Sequence, residues 1–144
     1  MLERARAKGL RRTVVADAMQ LPFEDGTFEA VTVAFGLRNM ASWPGALSEM
    51  GRVLKPGGHL LVLDFSIPRP PLRGIYRFYL HRILPRIAGL ITREKGAYDY
   101  MAESIEKFPR GAAMLSLMNE NGFSDPACEP LTCGIVSLYT GSRA

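Results

Sequence analysis

Cysteine, histidine and long apolar runs are all scarce in this sequence. Its 144 residues hold two cysteines, Cys128 and Cys133, and two histidines, His59 and His81. They are too few and too scattered for a zinc site, so no metal is expected. Both cysteines are expected to be reduced and structural, given the compartment argued next. No apolar stretch approaches the ~20 residues that cross a bilayer. The first residues, Met1 to Arg6, have no apolar segment behind their charges, which excludes a secretory signal and makes a cytoplasmic setting the expectation. Internal repeats and low-complexity tracts are absent too. What remains, 47% hydrophobic and 22% charged residues, suits one globular domain over residues 1–144.

The net charge of +4 is unevenly spread. Residues 67–95 carry seven cations, among them Arg69, Arg73, Arg77, Arg82 and Arg86, against Glu94 alone. Residues 1–12 carry five cations against Glu3. A basic patch of this kind suits an anionic partner, a membrane or a nucleic acid. No recognition helix or RNA-binding motif is present, and arginine alternating with bulky aliphatics suits lipid better, so no nucleic-acid partner is expected.

Along the chain, residues 1–10 read as a helix closed by Gly9. Thr13–Ala18 is short and β-branched, the pattern of a strand. Ala30–Phe35 is nearly all apolar, as in a strand buried on both faces. A helix follows, with Ser42 as N-cap, Pro44 in its first turn, and Trp43, Ala46, Leu47, Met50, Val53 and Leu54 at helical spacing. Lys55-Pro56-Gly57-Gly58 stops it with a tight turn, and His59–Phe65 reads as a third strand. Alternating strands and helices imply a parallel α/β sheet. After Ser66 come Pro68, Pro70 and Pro71, then a basic, aromatic stretch to about residue 97. Two helices are expected near Tyr98–Lys107 and Arg110–Asn121. Two final strands, Pro126–Leu131 and Gly134–Thr140, are joined closely enough to form an antiparallel pair at the sheet edge.

In a parallel α/β sheet, ligands bind beyond the carboxyl ends of the strands. Those ends are Asp17-Ala18, Gly36-Leu37-Arg38-Asn39 and Asp64-Phe65-Ser66, and all three are polar while the strand bodies are apolar. Each residue also has a plain structural alternative. Asp17 could cap a turn, Arg38 could be a surface cation, and Asp64 is either paired or at the rim. Gly36 allows the backbone a close approach there.

Asp17-Ala18 with Leu21-Pro22-Phe23 and Asp25-Gly26-Thr27-Phe28 resembles the adenine-side segment of class I methyltransferases. Phe35-Gly36-Leu37-Arg38-Asn39, then Arg52 to Gly58 and Asp64-Phe65-Ser66, resembles the ubiquinone/menaquinone biosynthesis C-methyltransferase (UbiE) family. The resemblance continues through His81, Leu84-Pro85-Arg86, Tyr98, Tyr100, Ala102-Glu103-Ser104-Ile105 and the ending Leu131-Thr132 to Gly134-Ile135-Val136. It covers nearly the whole chain in order. Two residues depart from it: Asp64 stands where the family usually has Glu, and Ala34 where it often has Ser.

The resemblance implies a Rossmann-like class I methyltransferase sheet that lacks its first strands and glycine-rich loop, ending in the antiparallel pair. A first βαβ unit needs roughly 30 or more residues, and only its trailing helix would remain at residues 1–10, so the chain is expected to be an incomplete domain. The implied cofactor is S-adenosyl-L-methionine, held by Asp17, Ala18 and Ala34. The implied substrate is a prenylated quinol, demethylmenaquinol or 2-polyprenyl-6-methoxy-1,4-benzoquinol, with Arg38 and Asn39 catalytic and Tyr98, Tyr100 and Glu103 lining its pocket. Residues 67–97 then form a substrate lid or a membrane-facing insertion. The alternatives are an inactive piece or partner subunit that pairs with a second copy or another chain, and a methyltransferase for other small molecules.

Overall fold

The computed structural model describes residues 2–9, 12–84, 86 and 95–144. Its architecture is mixed α/β, with a four-stranded mixed sheet in the order β1-β2-β4-β3. The strands are β1 (Phe28–Ala34), β2 (Leu54–Phe65), β3 (Phe123–Leu131) and β4 (Val136–Arg143). β1 and β2 run parallel; β4 is antiparallel to both β2 and β3. The helices are α1 (Leu2–Ala7), α2 (Trp43–Val53), α3 (Leu72–Phe78), α4 (Lys95–Lys107) and α5 (Ala112–Glu120). A π-helical turn, Tyr79–Ile83, extends α3.

α2 forms where its sequence predicts. The Ser42 hydroxyl accepts from the Gly45 backbone N–H at 3.1 Å, satisfying one of the otherwise orphaned donors of the first turn. The periodic face, Ala46, Leu47, Met50 and Val53, is buried. Ala46, Leu47 and Met50 pack with Leu60 and Val62 of β2, Met114 and Met118 of α5, and Tyr139 of β4 in the main core. The Tyr139 phenol inside that core is satisfied by the Gly111 N–H at 3.0 Å. A second cluster, Ile67, Leu80, Ala102 and Ile105, ties α3 and its π turn to α4. The closing antiparallel pair is present, with β3 outermost.

Two strand expectations are corrected. Thr13–Ala16 joins no ladder among the described residues, and only an isolated bridge joins Asp17 to Gln20. A β-branched run becomes a strand only when another strand takes its hydrogen bonds; here Val14 and Val15 are 52% and 84% exposed. The Ala30–Phe35 run is not buried on both faces. β1 is the sheet's outer strand: Val31 and Val33 meet the core, while Ala30, Thr32 and Ala34 are exposed. Phe35 lies past the end of β1 and turns the chain with φ 55°.

Lys55-Pro56-Gly57-Gly58 does end α2, but as a bulge inside β2. Phe28 pairs with Leu54 and Ala30 with His59, so the extra residues arch out between two ladder pairs. A Cβ on Gly58 would lie 2.8 Å from the Lys55 carbonyl and 3.1 Å from that of Glu29. Only glycine lets the backbones pass there.

Candidate active site at the ends of the parallel strands

Ala34 pairs with Leu63, so β1 and β2 end level with each other. The Phe35 N–H donates to the Leu63 carbonyl at 2.7 Å, and the 3-10 turn Leu37–Asn39 follows at once. This lays Arg38 across the end of β2. Its Nη1 donates to Asp64 Oδ1 at 2.6 Å and to the Phe35 carbonyl at 2.9 Å, and its backbone N–H reaches Asp64 Oδ2 at 3.2 Å. The Phe65 N–H also donates to Asp64 Oδ1, at 2.8 Å. Asn39 Nδ2 shares the Phe35 carbonyl at 3.4 Å.

The pair is desolvated: side-chain exposure is 9% for Arg38 and none for Asp64. The guanidinium carbon stands 5.0 Å from the centre of the Phe65 ring, which is in contact with Phe35 at a centroid distance of 4.7 Å. Arg38 Nε is buried without a partner. Chemically this is a permanent cation held by one carboxylate and one carbonyl over an aromatic floor. Such a group cannot take a proton, but it can stabilise negative charge developing beside it.

The other expected site residues are placed more loosely. Asp17 Oδ1 accepts from the Met19 N–H at 2.9 Å, so it closes its own turn. Ala18 is half-buried and Ala34 exposed. On α4, Tyr100 is 55% exposed, and Glu103 pairs with Lys107 at 2.6 Å in solvent. The Tyr98 side chain lies outside the described residues, as do Pro85 and residues 87–94 of the expected insertion. Among the described residues, hydrogen bonds join Arg38 to Asp64, and Arg38 and Asn39 to the same Phe35 carbonyl, while none joins Asp17, Ala18, Tyr100 or Glu103 to them.

Sequence reasoning missed a second polar hub. Arg52 donates to the carbonyls of Leu21 (3.1 Å) and Phe23 (2.9 Å), to Asp25 (2.6 Å) and to both oxygens of Glu49. Glu49 in turn accepts the Leu21 N–H at 2.7 Å. Together they pin the 21–25 loop, which follows Asp17 and Ala18, to α2. The i,i+3 spacing of Glu49 and Arg52 was the readable signal; their loop partners were not. The Arg52 hydrogen bond, aided by the Leu21 N–H, lowers the Glu49 pKa from 4.5 to about 2. A depressed folded-state pKa stabilises above the unfolded value and is lost as pH falls. Glu49→Gln should therefore destabilise the fold near neutrality, and the gap from wild type should close as pH drops from 4.5 towards about 2. Urea midpoints across that range measure it.

The model of the ubiE/COQ5 methyltransferase family matches residues 2–143. The chain belongs to that family. A demethylmenaquinone methyltransferase of Thermus thermophilus is 47% identical, over 97% of this chain and 64% of that protein. A ubiquinone/menaquinone biosynthesis C-methyltransferase UbiE of Neisseria meningitidis is 46% identical, over 90% of this chain and 53% of that one. The chain therefore spans between half and two thirds of the length of these family relatives. In structure it is similar to a SAM-dependent methyltransferase of Thermotoga maritima, described as a possible histamine N-methyltransferase. That likeness has a TM-score of 0.69 at 19% identity and covers 100% of this chain and 69% of that one. A phosphoethanolamine N-methyltransferase 2 of Haemonchus contortus, solved with S-adenosyl-L-methionine, gives a TM-score of 0.63 at 14% identity, over 99% and 40% of the two chains. These likenesses establish the fold alone; family membership rests on the sequence.

Proposed function

We propose that this chain carries the substrate-facing part of an S-adenosyl-L-methionine-dependent C-methyltransferase acting on a prenylated hydroquinone, demethylmenaquinol or 2-polyprenyl-6-methoxy-1,4-benzoquinol. The observation that carries the proposal is the desolvated Arg38–Asp64 pair at the ends of the parallel strands, in a chain of this family. The cofactor supplies an electrophilic methyl group, and the protein's task is to position it and exclude water. A ring carbon attacks well only after the neighbouring hydroxyl loses its proton. Arg38 stabilises the phenolate, or orients the water that takes the proton, and Asn39 supports it from the same carbonyl.

Asp17 uses Oδ1 within its own turn, and the exposure of its side chain suits the adenine amino group at the other oxygen, next to the Ala18 backbone. Ala34, exposed at the end of β1, offers a methyl group where a serine would offer a hydrogen bond. Tyr100 and Glu103 on α4 line the quinol pocket in this reading, and the family resemblance adds Tyr98 to them. The four strands are then part of a larger Rossmann-like class I sheet.

A prenyl tail brings the enzyme to a membrane surface. No helix among the described residues is long and apolar enough to cross a membrane. α3 and its π turn instead present Ile75 (70% exposed), Phe78 (59%), Tyr79 and Ile83 outward between arginines, which suits either a lid over the tail or an interfacial contact within residues 67–97.

The test measures methyl transfer from labelled S-adenosyl-L-methionine to demethylmenaquinol and to soluble phenols. It uses the chain alone and the chain joined behind the N-terminal segment of the Thermus thermophilus relative. Transfer to the quinol alone is expected of the joined protein; preference for soluble phenols overturns the substrate assignment. A second reading, favoured by the outer edge of β1 having no partner among the described residues, is a subunit that completes its sheet on another chain. No transfer by either folded protein favours that reading.

A further inference from the structure

Outside the Arg38 site, a cleft of about 210 Å³ opens between α3 and the turn that follows α4, lined by Ile67, Arg73, Arg77, Glu106 and Arg110. We propose that this cleft binds a phosphate group, through Arg73, Arg77 and Arg110, which all line it. The inference stands apart from methyl transfer and holds whichever acceptor the family site uses.

Charge is the first support. The lining holds three guanidiniums and a single carboxylate, an excess of two positive charges. That matches a phosphate monoester or inorganic phosphate better than a carboxylate. Glu106 is already shared, accepting from Arg77 Nε at 2.8 Å and lying 3.2 Å from His81 Nε2. Among the described residues Arg73 Nε meets the Pro68 carbonyl, at 3.4 Å. Among the described residues neither Arg73 nor Arg110 forms an ion pair. Arg73 and Arg110 thus line the cleft with no carboxylate partner among the described residues, and a bound anion supplies one.

Size is the second support. Pockets for whole small molecules run roughly 300–1,000 Å³. This cleft is too small for a quinol ring with its tail, and it suits a phosphate-sized group. Arginine forks match O–P–O edges in bidentate fashion, so the residue type as well as the charge suits a phosphate. The three arginines also come from two separate segments, α3 and the residues beyond α4, so a bound phosphate would clamp one to the other.

A free phosphate and a lipid headgroup share this chemistry, and the exposed Ile75 and Phe78 on α3 make the second source a real one. The experiment titrates the full chain with inorganic phosphate by calorimetry at constant ionic strength. It then measures co-sedimentation with vesicles of equimolar phosphatidic acid and phosphatidylcholine. Arg110→Gln and Arg73→Gln are compared with Arg82→Gln, which removes the same charge from an exposed position outside the cleft. Saturable phosphate binding weakened at least about tenfold by either cleft variant, and little changed by Arg82→Gln, is the expected result. If the cleft variants also release the vesicles and free phosphate competes with them, the source is a headgroup. If vesicle binding ignores them, it is a free phosphate. Absence of phosphate binding together with vesicle binding indifferent to the cleft variants overturns the proposal, and so do equal losses in all three. Arg110→Lys keeps the charge without the fork; it should fall between wild type and Arg110→Gln.

Discussion

Replacing Asp64 with leucine should lower the unfolding free energy by about 3–5 kcal/mol, because it strands a guanidinium that is almost fully buried. Asp64 takes a charge-assisted bond from Arg38 Nη1 and two backbone N–H bonds, from Arg38 and Phe65. With the carboxylate gone, Arg38 keeps only the Phe35 carbonyl as a side-chain partner. A domain is stable by only about 5–15 kcal/mol, so the loss is a large share of the total. Adding Arg38→Met should restore most of it, since a buried ion pair and a well-packed apolar pair of similar volume differ little. Denaturant unfolding of both variants tests this. A single mutant as stable as wild type would mean that Arg38 swings into water at no cost, and that the pair does not fix its position.

The second large effect concerns turnover. In the protein joined to its relative's N-terminal segment, Arg38→Ala should reduce kcat by about 10²–10³, the size of losing one preorganised charge donor. Affinity for S-adenosylhomocysteine should be unchanged, because Arg38 is assigned to the acceptor side. Arg38→Lys should recover only part of the rate. Lysine keeps the charge, but its ammonium cannot hold two partners with a planar fork as Arg38 holds Asp64 and Phe35. If kcat is unchanged and only KM rises, Arg38 binds the quinol without stabilising its phenolate.

Local signals were legible in the sequence wherever local chemistry decides structure. Ser42, Pro44 and the apolar spacing from Ala46 to Val53 define α2, and its cap hydrogen bond is present. The two closing strands were legible as a pair. What failed depends on partners far along the chain. Thr13–Ala16 has strand composition but no ladder partner, and β1 has the composition of an inner strand but stands at an edge. The Lys55–Gly58 arch reads as a plain turn until the Phe28–Leu54 pairing is known.

The candidate site divides the same way. Strand ends supplied Arg38, Asn39 and Asp64 as rim residues, and Asp64 was recognised as paired or at the rim. That its partner is Arg38, 26 residues away, emerged only from the fold. Glu49 and Arg52 share a helix face, yet the loop carbonyls that Arg52 collects lie about thirty residues upstream.

Strand order also governs when this molecule can fold. β4 lies between β2 and β3, and Ser137 pairs with Asp64, while His59 faces Ser142 across a separation of 83 residues. During synthesis, the strand that carries Asp64 therefore waits for Val136–Arg143 to be made before the side that β4 covers is hydrogen-bonded. Contacts of such long range form slowly, and an emerging chain meets its surroundings with that edge open. The carboxylate that anchors Arg38 is thus secured only once β4, far downstream of it, has been made.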